Sequence, residues 1–345
     1  MLQPSSTQTP VKKSDIQYSY LLRAVAILCV IADHCFTWFS TETPDWRLFV
    51  YVFGGDSLLF FMVAGIHNLP VTNIRDFLVK KTVKFLFVTA IFAIIYAFID
   101  RYIVYKNEDR LATKLLTDLM FYPHKPWLWF MYAITGLYIA SPFISLLVTN
   151  KNQRLTQFFI ILWLMTGLVP FIETFYGRPL HSEYVLRPFA GYAGYMIAGW
   201  YLHRYQYSRW RKRSKIIIIG TLVFLMLFPL LIQYTEYGQR CIAHDVFKNN
   251  LSITIMAVSI TTFILAQQIK IQVNAIYKVI KFISSLTFPM YLVHGFAEYF
   301  APFVKLHNFN IFAVTAITIA ATISAAYILR FAFTALQNYL HKKLM

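Results

Sequence analysis

An all-α polytopic membrane protein, with about ten transmembrane helices and both termini cytoplasmic, is the fold class this sequence predicts. Four observations carry it. Of 345 residues, 58% are hydrophobic and only 14% charged, where a soluble domain carries about a quarter charged residues. Mean hydropathy is +0.54, so the chain has too little polar surface to solvate a globule of this size and is too apolar for disorder. Ten apolar runs approach the ~20 residues that a helix needs to cross hydrocarbon. Finally, the segments joining those runs alternate between basic and acidic.

Residues 1–17 form a polar tail without the apolar core and cleavage site of a signal peptide. A membrane domain is expected over 18–337, followed by a short tail at 338–345. The predicted spans are 18–40, 47–67, 83–100, 127–149, 155–176, 184–203, 215–234, 249–269, 282–303 and 309–337. With the N-terminus inside, the inner segments hold 19 basic residues against two acids, Asp15 and Asp76. The outer segments hold about eleven basic residues and most of the acids, among them Glu42, Asp45, Glu108, Asp109 and Glu236. That bias gives the orientation. It also accounts for the net charge of +17 as topology, so membrane lipids rather than nucleic acid are the expected partner. The run Arg209–Lys215 then anchors at anionic headgroups. No HExxH, CxxC or carboxylate cluster points to a metal, and no phosphate loop of the GxxxxGK[ST] type is present.

Ionisable residues inside a span are expensive and mark function by default. The first span holds Arg23, Asp33 and His34. Arg23 and His34 are eleven positions apart, close to three turns, so they share one stripe about 16 Å long. Arg23 alone reads as an anchor that reaches to the headgroups, and His34 alone as a packed core residue; both on one stripe favour a site. Asp56, in GGDSLLFFMVAG, is a further buried carboxylate and a partner for a basic group. Adjacent helical residues point about 100° apart, so Asp33 is not expected to orient His34. Asp56 or Glu298, from another span, is. Lys81 and Lys84 share a face where the third helix begins, which suits an anionic cofactor at the inner rim; ordinary inside-loop cations are the simpler alternative. In SSLTFPMYLVHGFAEYF, Tyr291, His294 and Glu298 fall at i, i+3 and i+7, on one helical face beyond a kink at Pro289. Trp127 and Trp129 read as an interfacial aromatic belt. Ala190, Gly194 and Ala198 read as a small-residue stripe for close packing.

These motifs resemble those of the acyltransferase-3 family, membrane enzymes that O-acylate cell-surface sugars in bacteria. RAVAILCVIADH is similar to the family's R-x10-H signature, FFMVAG to its second-span segment, WLWFMYAITGLYIASP to the opening of its fourth span, and FPMYLVHGF to its late Tyr-Leu-x-His segment. They occur in the family's order. Within the family the chain looks nearest the branch of the enterobacterial common antigen O-acetyltransferase. The family's paired arginines at the third helix stand here as Lys81 and Lys84, which keep the charge and lose bidentate phosphate recognition. The second-span segment continues as GIHN, with Ile66 and His67, where the family more commonly has Gly-aromatic-Leu.

The resemblance implies a multi-pass protein of the bacterial cytoplasmic membrane with no permanently bound cofactor. It implies acyl-CoA, acetyl-CoA in the first instance, as donor and a cell-surface or lipid-linked saccharide as acceptor. Arg23, Lys81, Lys84 and Tyr291 would bind the donor. His34, Asp33, Asp56, His294 and Glu298 would serve the chemistry, with an imidazole as base or as acylated intermediate. A transporter or flippase of a saccharide or other solute is the rival. It would more often show inverted repeats with interrupted helices. A glycan polymerase would more often show a larger outer loop, for which 101–126 is the one modest candidate.

Overall fold

The structure is a computed structural model that describes residues 17–39, 57–100, 125–148, 153–180, 185–205, 212–244, 246–247, 249–307 and 309–344. Every regular element among them is helical. Eleven helices organise the description: α1 (Gln17–Phe39), α2 (Ser57–Asn68), α3 (Ile74–Ile99), α4 (Pro126–Leu147), α5 (Gln153–Tyr176), α6 (Ala193–Arg204), α7 (Lys212–Ile232), α8 (Glu236–Ala243), α9 (Ile253–Gln268), α10 (Asn274–Val293) and α11 (Ile311–Leu344).

Among the described residues, seven candidate spans are long and apolar enough to cross a membrane. They are α1, α3, α4, α5, the Lys215–Ile232 part of α7, α10 continued to Leu306, and α11 as far as Phe331. Of the other three expected spans, α6 has 12 residues and α9 has 16, and α2 has 12 described residues, positions 47–56 of its expected span lying outside the described residues. At 1.5 Å per residue, the 12 residues of α6 reach only about 18 Å, short of the ~30 Å hydrocarbon core. Its burial fits that length. Nearly all of α2 and α6 is enclosed by other helices rather than facing lipid.

These two short helices cross closely enough that neither tolerates a side chain at the contact. A Cβ on Gly65 would lie 1.9 Å from the Met196 carbonyl oxygen, and one on Gly199 would lie 2.2 Å from that of Met62. The small-residue stripe expected on this span is only partly used. Gly194 admits the Trp163 indole and Ala198 is buried, but Ala190 precedes the helix. The decisive pair is Gly199 with Gly65 on the other helix.

Three features shape the site. α3 begins at Ile74, earlier than the expected 83, because Asn73 caps it by accepting from the Asp76 amide (3.1 Å). It winds as a π-helix over Leu78–Val83 before resuming as α from Lys84, a local widening often found at functional sites. α10 carries Pro289 and changes at His294 from α to a 3₁₀ winding that lasts to Phe300. α1, finally, lies in the middle of the bundle, packed on α2, α10 and α11.

Candidate active site

His34 and His294 meet. α1 delivers His34 and the end of α10 delivers His294, with ring centroids 5.1 Å apart. His34 is stacked at 4.9 Å on Trp38, one turn further along α1. Trp38 lies 5.2 Å from Trp127 and 6.0 Å from His294. Two histidines and two tryptophans therefore close one aromatic cluster, built from α1, the start of α4 and the α10 turn. Trp127 is 2% exposed. The interfacial reading fails for it, because the 3₁₀ turn Pro126–Leu128 folds the indole inward. A Cβ on residue 295 would lie 2.3 Å from the Trp127 Nε1, so Gly295 is required by that approach. Trp129 is half-buried and packs on Tyr192 (5.3 Å).

His294 is fully buried. Its Nδ1 lies 2.6 Å from the Tyr291 carbonyl oxygen. A carbonyl only accepts, so Nδ1 carries the proton and the lone pair sits on Nε2. Nε2 is buried and has no hydrogen-bond partner among the described residues. An orphaned acceptor of this kind in a packed interior calls for a functional account. The Tyr291 hydroxyl donates to the Trp127 carbonyl oxygen, which joins α10 to α4 beside the cluster.

Tyr291 also lines a cavity of about 500 Å³ that extends towards the N-terminal end of α1. Arg23, Lys81 and His67 line the same cavity, with Phe85 and Phe288 among its apolar walls. Arg23 donates through Nε to the Ser19 carbonyl (3.3 Å) and lies over the Tyr20 ring (5.3 Å). His67, the departure in the second-span motif, lies 3.3 Å from the Ser19 hydroxyl through Nε2. Lys81 and Lys84 part company here. Lys81, in the π-helical turn, faces the cavity, while Lys84 sits 5.9 Å over the Phe288 ring.

Glu298 goes elsewhere. From His294 onward the 3₁₀ winding turns about 120° per residue rather than 100°, which carries Glu298 off the Tyr291–His294 face. It accepts instead from Lys125 (3.1 Å), which also pairs with Asp100 (3.1 Å). Tyr299 donates to the same Asp100 (2.7 Å), and Lys125 lies 5.2 Å over the Trp127 ring. The expected i, i+3, i+7 face is thus broken at its last member. Asp33 is half-buried on the neighbouring face of α1, outside the ring cluster. Asp56 lies outside the described residues.

A family model described as an acyltransferase domain, that of acyltransferase-3, matches residues 16–330. The chain belongs to the acyltransferase-3 family. The comparisons with curated proteins and with solved structures returned no match. This acyltransferase is a multi-pass membrane protein, and its matched region contains every element of the cluster and the cavity.

Sequence reasoning missed Trp38 and Trp127 as neighbours of the histidines, and Lys125 as the partner of Glu298. Trp38 had a usable signal, since it stands at i+4 from His34 on the same helix. Lys125 had none, being a loop cation among other loop cations.

Proposed function

We propose that this acyltransferase moves an acyl group, acetyl in the first instance, from cytoplasmic acyl-CoA to a saccharide hydroxyl on the outer face of a bacterial cytoplasmic membrane. The observation that carries the reading is the His34–His294 contact, one turn beyond a cavity whose other end holds Arg23 and Lys81. The loop charges support an inner position for that cationic end. Cations at the inner mouth suit the CoA phosphates, the apolar walls suit the pantetheine arm, and the thioester would end near Tyr291. The unpartnered His294 Nε2 is the base in this reading. It takes the acceptor's hydroxyl proton as the oxygen attacks the thioester carbonyl, the C–S bond breaks, and the proton returns to the departing CoA thiolate. His34 lies against His294 and completes the pair. Arg23, Lys81 and Tyr291 line the donor route, and Lys84 adds charge at its edge.

Purified protein supplied with labelled acetyl-CoA and an outer-surface glycan acceptor should release CoA and label the glycan. His34→Gln and His294→Gln keep size and some hydrogen bonding, and each should lose about 10²–10⁴-fold in rate. A His294→Gln enzyme at wild-type rate would remove His294 as the base.

A further inference from the structure

A second cavity, about 870 Å³, is lined by His294 itself. It runs between the His294–Leu306 segment and α11, and shares no lining residue with the first. Its chemistry is different. Among the described residues His294 is its only titratable lining residue, whereas the first cavity has Arg23, Lys81 and His67. Phenylalanines form one wall, and Ala313, Ala321 and Ala325 leave the space on the other. From Ala313 to Leu329 the groove follows α11 for about 24 Å, most of the thickness of a hydrocarbon core. Phe303, Ile317 and Ile328 on its rim are more than half exposed, the last at 71%, so the rim is a lipid-facing surface.

We propose that this groove binds the long apolar chain of a lipid anchor that carries the acceptor saccharide, and presents the acceptor hydroxyl to His294. The inference rests on the acyl-transfer reading above and deepens it by naming how the acceptor arrives. A free hydrophilic saccharide would find few partners in a groove whose described lining is polar only at His294, Asn310, Thr318 and Thr322 and is otherwise apolar, whereas a hydrocarbon chain gains about 25 cal/mol for each Å² it buries. A phosphorylated donor would meet no counter-charge in this groove, while the other cavity offers two cations. The exposed rim lets an anchored chain enter sideways from the bilayer, and the groove's one fixed chemical landmark is the proton acceptor.

Photolabelling tests this without turnover. The full-length protein, in nanodiscs of phosphatidylethanolamine and phosphatidylglycerol, is irradiated with a diazirine-bearing geranylgeranyl phosphate, and adducts are mapped by peptide mass. Adducts should concentrate on 294–306 and 311–329. Ala321→Trp, or the milder Ala321→Phe with Ala313→Phe, should reduce them about tenfold, while Ile219→Trp on the lipid-facing side of α7 leaves them unchanged. Even labelling of all lipid-facing helices would mean bulk lipid only, and would overturn the proposal. So would groove labelling that survives both filled variants. A diazirine-bearing palmitoyl-CoA that displaces the probe from these segments would assign the groove to the donor's acyl chain instead. Failure of acetyl transfer in a separate assay, with labelling intact, would count against the acyltransferase mechanism and not against the groove.

Discussion

Tyr291 engages both of its polar groups: its hydroxyl donates to the Trp127 main chain and so ties α10 to α4, and its carbonyl accepts from His294 three residues further along the same chain segment. Tyr291→Phe keeps the ring and the carbonyl but leaves the Trp127 oxygen without its donor. A buried acceptor stripped of its partner costs about 1–3 kcal/mol. The expected outcome is a lowered unfolding temperature in detergent and a reduced kcat, with the KM for acyl-CoA changed less. An unaltered kcat would show that the α4–α10 tie does not position the histidine.

The two lysines at the third helix should separate kinetically. Lys81 lines the cavity and Lys84 lies on Phe288. Lys81→Ala should raise the KM for acyl-CoA about tenfold, ~1.4 kcal/mol, with kcat nearly unchanged, since a phosphate contact far from the thioester acts equally on ground and transition states. Lys84→Ala should shift KM less. Equal effects in steady-state kinetics would return both residues to one anion-binding face.

Lys125 bridges Asp100 and Glu298 while being only 9% exposed. Lys125→Met would leave two neighbouring carboxylates without their shared cation, and breaking a buried pair from one side costs ~3–5 kcal/mol. Partial exposure of Glu298 reduces that figure. Adding Asp100→Asn and Glu298→Gln to Lys125→Met should recover much of the lost thermal stability. A triple variant as unstable as the single one would show that the loss comes from packing on Trp127 rather than from charge.

Gly65→Ala and Gly199→Ala should each prevent normal assembly. The added methyl would meet main-chain oxygen at 1.9 and 2.2 Å respectively, and backbone cannot swing aside as a side chain can. Overpacking costs about 1–3 kcal/mol when side chains can adjust, so the effect should exceed that range and appear as aggregation in detergent size-exclusion chromatography. Gly136→Ala, where nothing lies within 4 Å, is the matched control.

Orientation is tested by reporters. A fusion after residue 212 should read cytoplasmic and one near residue 115 external, from the distribution of Lys and Arg. Both on one side would break the alternation of spans.

Much of this site was legible before any coordinates, because helical periodicity is a local property. Arg23 and His34 share a stripe at any packing of α1, and Tyr291 with His294 needs only one turn of α10. Trp127 was misread because a tryptophan opening a span looks the same in sequence whether it faces lipid or folds inward; the 3₁₀ turn decides. Glu298 was misplaced because its expected direction assumed an α winding that stops at His294. The Gly65–Gly199 contact depends on how two separate helices cross, which no single-helix pattern encodes. The length of α6 and α9 was overestimated for a related reason. An apolar residue enclosed by protein and one facing lipid have the same hydropathy.

The tryptophan–histidine cluster has an electrical consequence. It lies beside the Tyr291–His294 turn, which borders one cavity through Tyr291 and the other through His294. A plug of this kind insulates. In the proposed reaction the membrane potential, worth ~2.3 kcal/mol per elementary charge at 100 mV, acts on no net charge, because the proton passing from hydroxyl to thiolate is exchanged for the acyl group passing the other way. The phosphates stay with the donor on one side. Transfer across such a partition is electroneutral, so its rate should be indifferent to whether the membrane is energised.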